Sequence, residues 1–244
     1  MKEATRRRVI VLVATLVMMA LTGRLGVWQL SRAAQKEALQ ASLDARTGLP
    51  ELDVAALAKT PEEAALQHHR HILLRGEWQA AATVFLDNRQ MANGHAGFFV
   101  VTPLKLVPSG DVVLVQRGWA PRDIRDRTLL PNVPTPAGVV EVHGQVAPPP
   151  GRLFEFSAAA SGVIRQNLDL AEFSRELGVT LRPLSVLQVD ANGAAPDGLL
   201  RQWPRPAADV HKHYGYAFQW FALCALLAGL YVWFQLLRPR FRRA

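Results

Sequence analysis

The sequence predicts an α+β membrane protein: two transmembrane helices flank one mainly antiparallel, barrel-like β-sheet domain outside the cytoplasm. Two observations lead there first. An apolar run lies near each end of the 244-residue chain, and each is abutted by a basic cluster. Between the runs, short β-branched segments are punctuated by Gly, Pro and Asn, the pattern of successive strands and turns. The third observation is where the charge sits. Of 28 basic and 20 acidic residues, eight basic and one acidic lie in residues 1–8 and 238–244, leaving 20 against 19 over the other 229. The net charge of +8 therefore belongs to the two ends, which removes the nucleic-acid reading that a pI of 10.4 invites.

Residues 1–8, with Lys2, Arg6, Arg7 and Arg8, form a basic terminus expected in the cytoplasm. Residues 9–30 form the first span, interrupted only by Arg24; at ~1.5 Å per residue they cover roughly one hydrocarbon core. A signal peptide is the competing reading. The chain after Leu21 continues Thr22-Gly23-Arg24-Leu25-Gly26-Val27-Trp28 without a small-x-small cleavage site, which favours a helix. Residues 214–237 form the second span, uncharged throughout, with Tyr214, Tyr216 and Trp220 at one edge and Tyr231, Trp233 and Phe234 at the other. Such aromatic belts mark headgroup level. Residues 238–244 add Arg238, Arg240, Arg242 and Arg243. By the positive-inside rule both termini face the cytoplasm and residues 31–213 lie across the membrane. That is the periplasm of a bacterium; eight residues before the first span leave little room for a mitochondrial transit peptide.

Residues 31–46 keep helical composition and read as a stalk, and a short helix fits 53–59, ending before Pro61. Strands are predicted at 71–78, 83–88, 97–106, 112–119, 139–146, 163–167 and 185–189. Pro108-Ser109-Gly110 marks a hairpin turn, a helix over 169–177 stops at Gly178, and Pro148-Pro149-Pro150-Gly151 is a loop. Short connections without crossover helices imply antiparallel pairing.

No enzyme motif is present: no G-x-S-x-G, H-E-x-x-H, P-loop or dinucleotide fingerprint. The one cysteine, Cys224, excludes an intramolecular disulfide and any Cys-cluster site, and reads as a small packing residue of the second span. His68, His69 and His71 resemble a metal cluster, with His69 and His71 on one strand face, but lack a companion carboxylate at ligand spacing. Asp87-Asn88-Arg89 with Asn93-Gly94-His95 reads as a polar hairpin tip, and Arg117-Gly118-Trp119 as a paired guanidinium beside a buried indole.

The membrane edge offers more. Trp28, Arg32 and Lys36 recur every four residues, either as an interfacial anchor or as an anion site for a ligand's carboxylates. His213, Tyr216, Ala217, Trp220 and Cys224 share a face of the second span. His213 is either a cap or headgroup contact or an axial ligand for a flat amphipathic macrocycle.

Four stretches carry a family resemblance: Gly26-Val27-Trp28-Gln29 with Arg32 and Lys36; Gly97 to Leu104, ending Val101-Thr102-Pro103-Leu104; Val113-Leu114-Val115-Gln116-Arg117-Gly118-Trp119; and His213-Tyr214-Gly215-Tyr216-Ala217-Phe218-Gln219-Trp220-Phe221. In order, and with two spans, the chain resembles the surfeit locus protein 1 family, which assists assembly of cytochrome c oxidase. The resemblance implies a non-catalytic role in maturing oxidase subunit I, alongside other assembly factors and haem a synthase as a candidate partner. It implies haem a as bound cargo, His213 as the iron's axial ligand, Tyr216 and Trp220 as a wall for the ring, and Trp28, Arg32 and Lys36 at the membrane edge, the two cations near the propionates. A cofactor-free scaffold holding an oxidase intermediate is the alternative, and a tethered hydrolase a remote one.

Overall fold

The computed structural model describes residues 2–91, 94–126, 128–154, 162–190, 197–203 and 209–238. Asn93 of the expected hairpin tip, and Arg240, Arg242 and Arg243 of the basic C-terminus, lie outside them. The chain divides into a helical unit, Met1–Ser42 with Arg205–Ala244, and a sheet unit, Leu43–Pro204.

The helical unit is built on α1 (Lys2–Thr47) and α4 (Val210–Tyr231), the latter continuing as a wider π turn over Val232–Leu237. The expected first span and stalk are thus one continuous helix. Both helices are long and apolar enough to cross a membrane; the most apolar 18-residue stretch is 11% buried in α1 and 0% in α4. Leucines and valines left bare around a helix of this length are the pattern of a membrane-spanning segment. The buried stripe is narrow. Thr22, Gly26 and Ala33 on α1 and Ala217 on α4 are buried, with Gln29, Lys36, His213, Trp220 and Cys224 half-buried along the same lines. Spacings of three and four residues give a seam of small side chains that lets two helices approach closely. Cys224 Sγ lies 3.5 Å from the Met19 carbonyl oxygen, and a Cβ on Gly26 would come 2.7 Å from the Phe221 ring, so the two helices run antiparallel.

The sheet unit contains α2 (Pro61–Gln67), α3 (Leu170–Leu177) and seven strands: β1 (His71–Trp78), β2 (Val84–Gln90), β3 (Ala96–Leu106), β4 (Val112–Pro121), β5 (Val139–Ala147), β6 (Ile164–Arg165) and β7 (Leu181–Gln188). Their order is β1-β5-β7-β4-β3-β2-β6, and β1 also pairs with β3, so the pairings from β1 through β5, β7, β4 and β3 return to β1. Adjacent alternating faces bury Ile72, Leu74, Leu104, Val113, Val142 and Val186 in one core cluster.

The sheet is mixed. β4–β7 and β2–β6 are parallel while the other pairs are antiparallel. Short turns identify only sequence neighbours; both parallel pairs join strands far apart in the chain, with α3 between β6 and β7. β7 begins four residues before the expected start. Pro183 lies within that extension but falls where the register shifts, Val112 facing Leu181 and Leu114 facing Ser185, so its missing N–H costs no regular ladder bond. β6 is shorter than expected because Gln166 and Asn167 turn their amides to the backbone at Leu153 and Phe154 instead. The expected 53–59 helix is only a 3-10 turn, Val54–Ala56, and the helix starts after it. Pro61 opens α2 rather than ending a predecessor: Thr60 Oγ1 accepts from the Glu63 N–H and the Glu63 carboxylate accepts from the Thr60 N–H. α3 conforms to expectation, with Asp169 as N-cap and left-handed Gly178 (φ 66°) as C-cap.

Gly97 is wedged between β2 and β4. A Cβ there would strike the Ala120 carbonyl oxygen and lie 2.6 Å from two Trp119 ring atoms. Overpacking against backbone has nowhere to relax, so Gly97→Ala is expected to cost about 3 kcal/mol, the upper end for such changes. Thermal melting of the detergent-solubilised chain should drop by roughly 6–12 °C; an unchanged midpoint would contradict this packing.

Candidate functional site

The helical unit brings His213 and Gln29 together. His213 Nδ1 lies 2.7 Å from Gln29 Oε1, a contact between the two helices on the small-residue seam. Gly26 and Ala33, one turn to either side of Gln29, keep the helices close enough for that short reach. An amide in an apolar span is costly without a partner, and the imidazole supplies one. Among the described residues, Nε2 of His213 has no hydrogen-bond partner. One residue further, the Tyr214 hydroxyl donates to Glu37 at 2.8 Å. At the start of α4, Lys212 Nζ sits 3.0 Å from Asp209, whose carboxyl is held below its usual range chiefly by that hydrogen bond.

The other candidate residues distribute around this pair. Trp220 is half-buried two turns beyond His213; Tyr216 is 50% exposed, beside the seam rather than in it. On α1, Lys36 lies on the seam line two turns from Gln29, whereas Trp28 is 55% exposed and Arg32 is exposed, its guanidinium donating to Gln35 at 3.0 Å. The structure therefore joins His213 to Gln29, a residue the four-residue spacing of Trp28, Arg32 and Lys36 passes over. The missed signal was the adjacent stripe Thr22, Gly26, Gln29, Ala33 and Lys36, with alternating steps of four and three.

The sheet unit holds a different kind of cluster. Arg117, 2% exposed, donates to Thr135 Oγ1 (2.7 Å) and the Pro134 carbonyl (2.7 Å), reaches Asp197 at 3.4 Å, and stacks 4.9 Å from the Trp78 ring centre. Arg201 joins Asp197 and Asp190, both at 2.6 Å. These groups line a cleft of about 800 Å³. Their polar atoms are spent largely on one another, as the sequence reading of a paired guanidinium expected. Trp119, 3% exposed, donates to the Arg89 carbonyl at 3.0 Å.

Two expectations change. His69 precedes β1 in a left-handed conformation (φ 73°), so it does not share a strand face with His71. Burial pushes both His68 and His69 below the usual imidazole range, and no group of three metal-ligating side chains occurs among the described residues. Arg89 is not at a hairpin tip: it is 6% exposed within β2 and donates to the carbonyls of Gly151 (2.7 Å) and Gln166 (2.8 Å). Asp87 pairs with Arg122 at 3.2 Å.

The comparisons with known proteins agree on one family. The sequence model of the SURF1 family matches residues 16–225. A SURF1-like protein of Rickettsia felis is 28% identical over 214 residues, covering 85% of this chain and 89% of the relative. Surfeit locus protein 1 of Takifugu rubripes is 25% identical over 237 residues, 90% and 93% of the two chains. Cytochrome oxidase assembly protein SHY1 of Saccharomyces cerevisiae is 27% identical over 118 residues, 48% of this chain and 30% of its own. With a match that begins within α1, takes in every strand and ends within α4, the chain belongs to the SURF1 family.

Proposed function

We propose that this chain is a membrane assembly factor for cytochrome c oxidase that carries haem a for subunit I, with His213 as the protein's ligand to the iron. The assembly role follows from family membership and from the role in the name of the yeast relative. The membrane placement rests on the bare apolar circumference of α1 and α4. The arginines outside each apolar run support cytoplasmic termini and a periplasmic sheet unit, as in a bacterial inner membrane.

One observation carries the cargo reading: among the described residues, the hydrogen bond to the His213 ring engages Nδ1 and leaves Nε2 for a metal. That donor chemistry fits an iron porphyrin, because metal-bound imidazoles use one nitrogen while the other is held by an oxygen acceptor. Bound haem a would supply an iron that accepts an imidazole nitrogen. Tyr216 and Trp220, one and two turns beyond His213 on α4, would offer aromatic faces to the ring, and Trp28 another on α1. Arg32 and Lys36 provide cations for the propionates. Catalysis has no part in this proposal; the residues bind, shield and hand over.

The test is an absorption spectrum of the purified chain from cells with and without haem a synthesis. A haem a spectrum is expected only from the former. Its absence, with subunit I still co-purifying, would leave the cofactor-free scaffold. Exchanging both Arg32 and Lys36 for Gln should weaken haem a retention a few-fold, since ion pairs at a wet edge are worth ~1 kcal/mol or less each. Unchanged retention would make those residues membrane anchors.

A further inference from the structure

We infer that Gln29 is a positioning residue for His213: its side-chain oxygen selects the imidazole tautomer whose Nε2 lone pair is free for iron. The inference rests on the haem a reading above and deepens it. The 2.7 Å contact runs from His213 Nδ1 to Gln29 Oε1. Gln29 presents its amide oxygen to the ring, and an oxygen only accepts, so this orientation pairs with a protonated Nδ1, whereas the amide turned over would donate to a bare Nδ1 and favour the other tautomer. In a neutral imidazole, protonation at Nδ1 leaves Nε2 unprotonated. Gln29 thus does for this ring what a carbonyl or carboxylate does behind a metal-ligating histidine: it fixes tautomer and ring orientation before the metal arrives.

The seam makes the arrangement specific. Gln29 lies between Gly26 and Ala33, and a Cβ on Gly26 would already press on the Phe221 ring at 2.7 Å, so a bulkier α1 stripe would hold α4 away. Trp28 and Arg32, nearby on α1, are exposed, and the Arg32 guanidinium donates to Gln35 instead. An amide oxygen is also a weaker acceptor than a carboxylate, so Nε2 stays a moderate donor, suited to cargo that must be released again.

The experiment uses the full chain in detergent, with ¹⁵N-labelled histidine. Nitrogen shifts of His213, assigned by difference from His213→Ala, read the tautomer without haem. Wild type is expected to show Nδ1 protonated and Nε2 bare. Gln29→Leu should lose that preference, and Gln29→Glu, which keeps an acceptor at the same reach, should retain it. In protein loaded with haem a, Gln29→Leu should lower affinity about 10–100-fold, the range seen for such supporting partners. Gln29→Glu should hold the haem and shift its midpoint potential downward, because a carboxylate makes the imidazole a stronger donor. A wild-type ring protonated at Nε2 overturns the inference. So does a Gln29→Leu variant with wild-type haem a affinity and spectrum, and in that case the His213 assignment stands. If His213→Ala itself retains the wild-type haem spectrum, the underlying reading fails and the inference with it. Should Gln29→Leu disturb helix pairing, the wild-type tautomer and Gln29→Glu still decide.

Discussion

His213→Ala is expected to strip haem a from the purified chain, whereas His211→Ala leaves both content and spectrum unchanged. The two histidines are two residues apart, so their side chains diverge by roughly 200° around α4. His211 is exposed, while His213 is half-buried with its ring tied to Gln29. Removing the ligand itself should cost more than removing its supporting partner, hence a loss beyond about 10–100-fold. The alanine variant also leaves the Gln29 amide without its partner, a penalty of about 1–3 kcal/mol that weakens the seam. Retention alone therefore confuses lost ligation with loosened helices. Added imidazole separates them, since it can occupy the space vacated at residue 213 and restore the axial bond. Recovery of the haem a spectrum on titrating imidazole into His213→Ala is the expected result. If the alanine variant binds haem a like wild type, ligation belongs elsewhere and the scaffold reading takes over.

Legibility of this fold in the sequence followed the range of the interaction responsible. β1 matches its expected limits, because alternation and a flanking turn are local. α3 was legible at both ends, its N-cap Asp169 and C-cap Gly178 being single-residue signals. Pro61 was misread although the signal was equally local: proline ends one helix and begins another, and only the Thr60–Glu63 capping box distinguishes the cases. The parallel β4–β7 ladder was not legible, since nothing near residues 112–121 reports on residues 181–188. His213 stood out by residue type at a span edge. Gln29 did not, because its significance lies in a contact 184 positions away along the chain.

Arg117→Met is expected to destabilise the sheet unit by about 3 kcal/mol, and the geometry of β4 gives the reason. Val100 faces Gly118 while Val101 faces Gln116, so Arg117 is the extra residue of a β-bulge. Such an insertion re-aims its side chain and frees its backbone from the ladder. The freed carbonyl accepts from Arg201 Nε at 2.7 Å, and the guanidinium reaches inward to Thr135, Pro134 and Asp197 over the Trp78 ring. Burial lowers the Arg117 pKa and Asp197 opposes that shift, so the cation is maintained by its partner rather than by solvent. Breaking a buried pair costs about 3–5 kcal/mol. The low end applies because Arg201 still neutralises Asp197 at 2.6 Å. The midpoint should fall by roughly 6–12 °C, and 1 M salt should not remove the difference, as screening reaches buried pairs poorly. Arg117→Lys should recover little, because one ammonium cannot replace the planar fork that meets Thr135 and Pro134 together. A double-mutant cycle with Arg201→Met should be non-additive through the shared Asp197. A midpoint within 1 °C of wild type would reduce the cluster to a surface feature. Throughout the series the haem a spectrum is expected to stay that of wild type, since His213, Gln29 and their aromatic neighbours lie in the other unit. A stability loss without a spectral change assigns Arg117 to holding the sheet and leaves cargo binding to the paired helices.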